Sequence, residues 1–149
     1  MNFVNFVWLV PLLPLLGWTF IGLFGKKMAK NFVGVIGCGS VLGSFGISLG
    51  IVAEVLNEET KSFTIHLFNW IHAGNFAADF SFLVDPLSCV FLLIITGVGF
   101  LIHIYSVGYM HDDPAFARFF AQLNLFVFFM LLLVLGDNYL TMFVGWEGV

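Results

Sequence analysis

The run Tyr139-Leu-Thr-Met-Phe-Val-Gly-Trp-Glu-Gly-Val149 decides how the rest of the chain is read, because it is almost wholly apolar yet carries a carboxylate, Glu147. It opens after the polar pair Asp137-Asn138, and Glu147 lies eight residues beyond Tyr139. At a helical rise of about 1.5 Å per residue those eight residues cover roughly 12 Å, close to the middle of a hydrocarbon layer about 30 Å thick. An acid at that depth is costly unless it faces a protein interior, a counter-charge or water, so the expectation is a proton or ion site. The plainer alternative is a protonated Glu that only bonds a neighbouring helix. Gly145 and Gly148 flank the acid and are expected to let another helix, or a file of water, approach the backbone. The sequence ends two residues after Glu147, so about half of this span is expected to be present.

Composition places the chain in lipid. Its 149 residues are 60% hydrophobic and 9% charged, include 20 Phe, and have a mean hydropathy of +1.04. Soluble domains carry about 25% charged residues. The formal charge of -4 is scattered, which argues against a nucleic-acid surface. Cys38 and Cys89 sit inside apolar runs, without the Cys/His spacing of a zinc or haem site, and read as small buried hydrophobes. No Gly-rich phosphate loop, Ser/His/Asp order or CxxC is present, so this chain is expected to hold no nucleotide, flavin, iron-sulfur cluster or metal.

The expected fold is an all-α polytopic membrane protein. Four complete transmembrane helices, at about 3–24, 32–56, 86–109 and 114–136, precede the first half of a fifth at 139–149. Pro11 and Pro14 interrupt the first span, which membrane helices tolerate when neighbours satisfy the freed carbonyls. Lys26, Lys27 and Lys30 follow, so this loop is expected inside the cell and the N-terminus outside. Arg118 agrees with that orientation, and Lys61 is the only Lys or Arg in the loops expected outside.

In the second span Gly39, Gly43, Gly46 and Gly50 step by 4, 3 and 4, a small-residue seam against which another helix is expected to pack. Glu54 near its outer end reads as an interfacial charge. Between spans two and three the period changes to two: Phe63, Ile65 and Leu67, then Phe76, Ala78, Phe80, Phe82 and Val84, alternate around Ala73-Gly74-Asn75. This predicts a β-hairpin at about 62–83 on the outer face, its Phe and Trp70 side resting on helix ends or a neighbouring subunit. His66 and His72 within it are too widely spaced for a metal motif.

Asp85-Pro86 is an N-cap followed by proline at the first helical position, and Asp113-Pro114 repeats the signal. Along the third span Thr96, Gly99, His103 and Ser106 step by 3, 4 and 3, a polar stripe expected to face the bundle. His103 is a candidate proton relay because histidine titrates near neutrality; bonding a neighbouring helix is the alternative. Arg118 is expected to pair with Asp112 or Asp113 at a wet interface, where the pair contributes little. Gln122 and Asn124 lie in the inner third of the fourth span.

The stretches Asp85-Pro-Leu-Ser, Thr96-Gly-Val-Gly-Phe-Leu-Ile-His103-Ile-Tyr-Ser-Val-Gly-Tyr-Met110, Arg118-Phe-Phe-Ala-Gln-Leu-Asn-Leu-Phe126 and Asn138-Tyr-Leu-Thr-Met-Phe-Val-Gly-Trp-Glu-Gly-Val149 together resemble a known family. It is the antiporter-like subunit L (chain 5) family of NADH-quinone oxidoreductase, respiratory complex I. The resemblance is specific from about Asp85 onward.

It implies that residues 1–149 are the N-terminal part of one antiporter-like transmembrane domain in a proton-translocating, non-redox subunit of the enzyme. NADH, FMN, iron-sulfur clusters and quinone are then handled by other subunits, and the partners are membrane-arm subunits and the lipid bilayer. The implied location is the bacterial inner membrane, multi-pass, with a periplasmic N-terminus. In the family the glutamate matching Glu147 pairs with a lysine on a later helix. Two rival readings are a subunit of a multi-subunit sodium/proton antiporter and a non-transporting membrane scaffold fragment.

Overall fold

The structure, a computed structural model, describes residues 3–57, 62–73 and 76–149. Four helical segments are long and apolar enough to cross a membrane: Phe3–Lys27, Lys30–Asn57, Pro86–Tyr109 and Phe116–Leu135. The first is a 3-10 turn, Phe3–Phe6, then α1, Leu9–Phe24, and a second 3-10 turn, Gly25–Lys27. The second is α2, Lys30–Asn57. The third is α3, Pro86–Leu93, a π turn, Ile94–Val98, and α4, Gly99–Tyr109. The fourth is α5, Phe116–Leu135, and α6, Tyr139–Gly148, follows it.

A two-stranded antiparallel hairpin, β1 (Phe63–Ala73) and β2 (Phe76–Val84), joins the second and third segments. As the alternation predicts, Ala78, Phe82 and Val84 turn into the protein while Thr64 and His66 face out. Irregularities in the register between His66 and Phe68 and between Asn69 and Ile71 break that alternation. Phe68, Trp70 and Ile71 are thereby left on the surface, with Phe68 stacked on Phe80 at 5.0 Å between ring centres. His66 meets Asp79 at 3.2 Å, and the described residues hold no cluster suited to a metal ion. The expected Gly74-Asn75 turn and Lys61 lie outside the described residues.

Local chemistry sets the helix starts. Asp85 and Ser88 form a reciprocal capping box: Asp85 Oδ1 accepts from the Ser88 amide at 2.7 Å and Ser88 Oγ accepts from the Asp85 amide at 2.8 Å. Asn138 Oδ1 caps α6, accepting from the Leu140 and Thr141 amides at 3.1 and 3.0 Å. At Asp113-Pro114 the signal is displaced. Asp113 Oδ1 takes the Ala115 amide at 2.6 Å, a turn forms, and α5 begins only at Phe116. Arg118 forms no ion pair with Asp112 or Asp113 among the described residues; Asp112 meets His111 instead, and Lys30 Nζ donates to the His111 carbonyl at 2.7 Å.

The glycine seam of α2 packs only in part. A Cβ at Gly39 or Gly46 would meet nothing, whereas one at Gly43 would lie 3.1 Å from Leu13 and one at Gly50 2.6 Å from the Phe3 ring, so Gly50 does admit a close approach. The buried face is the opposite one, Val33, Gly34, Gly37, Val41, Ser44, Ser48, Ile51 and Val55. Periodicity assigns residues to a shared face; it does not say which face turns inward, and here the β-branched and serine side wins because it meets α1 and α5.

Pro14 is the one proline interior to a helix, and Pro11 falls in the first turn of α1, where an amide is unpaired in any case. With no N–H, Pro14 leaves the Val10 carbonyl without its helical donor. Buried Ser44 of α2 supplies one, its Oγ donating to Val10 O at 2.7 Å. Glu54 does the converse at the start of the chain, accepting the Val4 amide at 3.2 Å.

Ser44→Ala is expected to cost about 1–3 kcal/mol by orphaning that carbonyl. Pro14→Ala restores the helical donor, so the double variant should lose less than Ser44→Ala alone when thermal unfolding is followed in detergent.

Candidate functional site

Two apolar clusters fill the bundle, one around Val10, Val41, Leu92, Val127 and Leu131, the other around Ile21, Val33, Phe116 and Phe120. Between them lies a polar layer to which each long segment contributes. His103 of α4 is fully buried, and its ring nitrogen Nδ1 lies 2.8 Å from the Gly99 carbonyl oxygen. A carbonyl only accepts, so Nδ1 carries the hydrogen and Nε2 presents a lone pair. The Nδ2 of Asn124, also fully buried, points at Nε2 from 3.4 Å and donates to the Phe120 carbonyl at 3.0 Å. Asn124 Oδ1 accepts from Ser40 Oγ at 2.6 Å, and Ser40 Oγ lies 2.9 Å from the Gly37 carbonyl.

Gly17 of α1 closes the layer. A Cβ there would sit 2.8 Å from both Asn124 Oδ1 and Ser40 Oγ, so only glycine lets α1 lie against the pair. The chain of contacts thus ties all four long segments together. As the stripe in the third span predicts, Thr96, His103 and Ser106 are all buried. Thr96 Oγ1 donates to the Leu92 carbonyl at 2.5 Å, within the turn where the helix changes to π pitch.

Glu147 is not in this layer. It sits on the exposed side of α6 with Phe143 and Trp146, and no hydrogen bond or ion pair among the described residues engages it. Its flanking glycines do bring a helix close. A Cβ at Gly145 would lie 2.5 Å from the Leu133 amide nitrogen, and one at Gly148 would run into the Phe129 ring. Glu147 therefore lies between the levels of Leu133 and Phe129 on α5. Phe129 is six residues before Leu135, where α5 ends, a depth of roughly 9 Å.

His103 and Glu147 stand out in the sequence, whereas nothing in it tells Gln122 from Asn124. Gln122 is exposed and Asn124 buried. Ser40, Ser44 and Ser48, four residues apart, form a stripe of small hydroxyls beside Gly37 that marks the face that packs.

A family model described as NADH-Ubiquinone oxidoreductase (complex I), chain 5 N-terminus, matches residues 70–120. Over 147 residues, 97% of it, the chain is 46% identical to the NADH-quinone oxidoreductase subunit L of Mycobacterium tuberculosis (strain CDC 1551 / Oshkosh). It is 36% identical over 146 residues, 98% of the chain, to the subunit L of Escherichia coli (strain K12). To the NADH-ubiquinone oxidoreductase chain 5 of Allomyces macrogynus it is 41% identical over 138 residues, 92% of the chain. The chain spans 22% to 24% of the length of these relatives. These matches favour the complex I family over a sodium/proton antiporter subunit.

Asn124→Leu removes both the acceptor for Ser40 and the donor facing His103. It is expected to cost about 1–3 kcal/mol in thermal unfolding, whereas Gln122→Leu on the exposed side should stay within about 0.5 kcal/mol.

Proposed function

We propose, from the premise that the chain belongs to the subunit L / chain 5 family of NADH-quinone oxidoreductase, that it opens a proton-translocating membrane domain and that Glu147 is its proton-exchanging acid. The observation that carries the reading is the depth of Glu147. It lies beside the Phe129–Leu133 stretch of a helix apolar enough to cross a membrane, and has no counter-charge among the described residues. A carboxylate in oil without a cation holds its proton; a cation brought near releases it. The cation in this proposal is a lysine on a later helix, and its approach and retreat bind and release one proton, a reciprocal linkage. Gly145 and Gly148 press α6 against α5 and so hold the acid at its depth, and His103 relays protons through the lone pair of Nε2.

In this reading residues 1–149 are the N-terminal part of the domain, with four spans complete and α6 the start of a fifth. The protein is multi-pass in a bacterial inner membrane. Lys26, Lys27, Lys30 and Arg118 mark the cytoplasmic side, and the N-terminus and the hairpin lie on the periplasmic side. Other membrane-arm subunits are the partners. Redox chemistry, with its NADH, FMN, iron-sulfur clusters and quinone, takes place in those other subunits, and this one acts as a translocase.

Glu147→Gln in the assembled enzyme is expected to leave electron flow from NADH to quinone measurable while lowering the protons moved per electron. Glu147→Asp should restore part of the loss. An unchanged ratio in the Gln variant, measured in sealed vesicles, overturns the assignment.

A further inference from the structure

We propose that the side-chain amide of Asn124 gates proton uptake by His103: as it stands it bars Nε2 from taking a proton, and a half-turn about its last side-chain bond admits one. The proposal rests on the reading of His103 as a relay and adds the residue that positions it. Three contacts fix the amide. Asn124 Oδ1 accepts from Ser40 Oγ at 2.6 Å, while Nδ2 lies 3.0 Å from the Phe120 carbonyl oxygen and 3.4 Å from His103 Nε2. Reversed, the amide would set two oxygens against each other at Phe120, since a carbonyl only accepts. The nitrogen end is therefore the one that meets His103, and a bare Nε2 is the ring atom that suits it.

A proton arriving at Nε2 reverses the sense of that contact. Nδ1–H is already given to the Gly99 carbonyl at 2.8 Å, so both ring nitrogens then carry hydrogen and Nε2–H faces the N–H of Asn124. The half-turn exchanges Oδ1 and Nδ2, atoms of nearly equal size, so the close packing against Gly17 does not oppose it. Oδ1 then accepts from Nε2–H. Ser40 follows, because a hydroxyl both donates and accepts: it takes a hydrogen from Nδ2 and turns its own to the Gly37 carbonyl, 2.9 Å away. The Phe120 carbonyl resists, losing a donor and gaining an oxygen neighbour, so the neutral ring keeps the amide in place and the stronger bond from the charged ring turns it. Nδ1 keeps its hydrogen throughout; a proton taken from water at Nε2 is returned to water from Nε2, and the amide turns back. No charge in the packed elements stands in for the amide. Helix α1 has no titratable side chain, α5 has Arg118, and α2 has Lys30, Cys38 and Glu54. Tyr105 and Tyr109 of α4 are exposed, and Phe120 meets the imidazole edge-on at 6.1 Å between ring centres.

The test is an infrared difference spectrum of the assembled enzyme between about pH 5 and pH 8, with asparagine carrying carbon-13 at its side-chain carbonyl. One asparagine carbonyl band is expected to shift in proportion to a histidine ring-protonation band, and both signals should vanish in His103→Gln. Asn124→Leu should lose the carbonyl signal and lower the protons moved per electron as far as His103→Gln does, with electron flow retained. A histidine band that is lost in His103→Gln but has no carbonyl shift beside it overturns the gate, and this result needs only the native chain and His103→Gln should Asn124→Leu fail to assemble. The relay reading fails separately: an unchanged proton-to-electron ratio in His103→Gln, with the paired bands present in the native enzyme, removes the relay and upholds the gate. Absence of any His103-dependent band over this range overturns both.

Discussion

Inside a bilayer a polar group with no partner cannot turn to water, and the contact of Asn124 with Ser40 on one side and His103 on the other is where this protein meets that constraint most fully. One amide serves helices α2 and α4 and its own backbone at Phe120. The arrangement works only because Gly17 lets α1 come within reach, so a missing side chain on one helix is part of the polar layer of three others. Apolar packing above and below would allow neighbouring helices to slide, since lipid tails compete with Leu and Val on equal terms. The polar layer fixes which residue stands beside which.

The same constraint explains the prolines. Pro14 opens the ladder of α1 at Val10, and Ser44 closes it from α2. A defect in one helix thus becomes an interhelical bond, which orders α1 against α2 at a second level. The two ends of the bundle are finished differently. At one, Lys30, His111 and Asp113 hold loops together by side-chain bonds to backbone. At the other, the hairpin buries Phe82 and Val84 against the helix ends and keeps Phe68 and Trp70 outward.

How much of this was legible in the sequence varied with the range of the interaction. The cap at Asp85 was readable because its partner lies within three residues. The stripe through His103 was readable because a membrane helix has no other use for a run of polar residues on one side. The proline rescue was foreseeable in kind, but not that Ser44 performs it, because that bond crosses 34 residues. The glycine stripe was half right for a physical reason: glycine permits close approach without demanding it, so Gly50 closes on Phe3 while Gly39 and Gly46 face open space. At Asp113-Pro114 the cap chemistry is real but closes a turn before the helix. Glu147 was legible as an acid in an apolar run.

Asn138 does two jobs at once. Its oxygen seats the first turn of α6, and its Nδ2 donates to the Asp79 carbonyl in β2 at 2.6 Å, while Ser81 grips Asp137 at 2.9 Å and Gly136 bridges to Phe82. The helix bearing Glu147 is consequently held at two levels, moored to the hairpin at its first turn and pressed against α5 at Gly145 and Gly148. Anchorage at both ends leaves the acid little freedom of position, so the surface it presents is set by the hairpin and by α5 together.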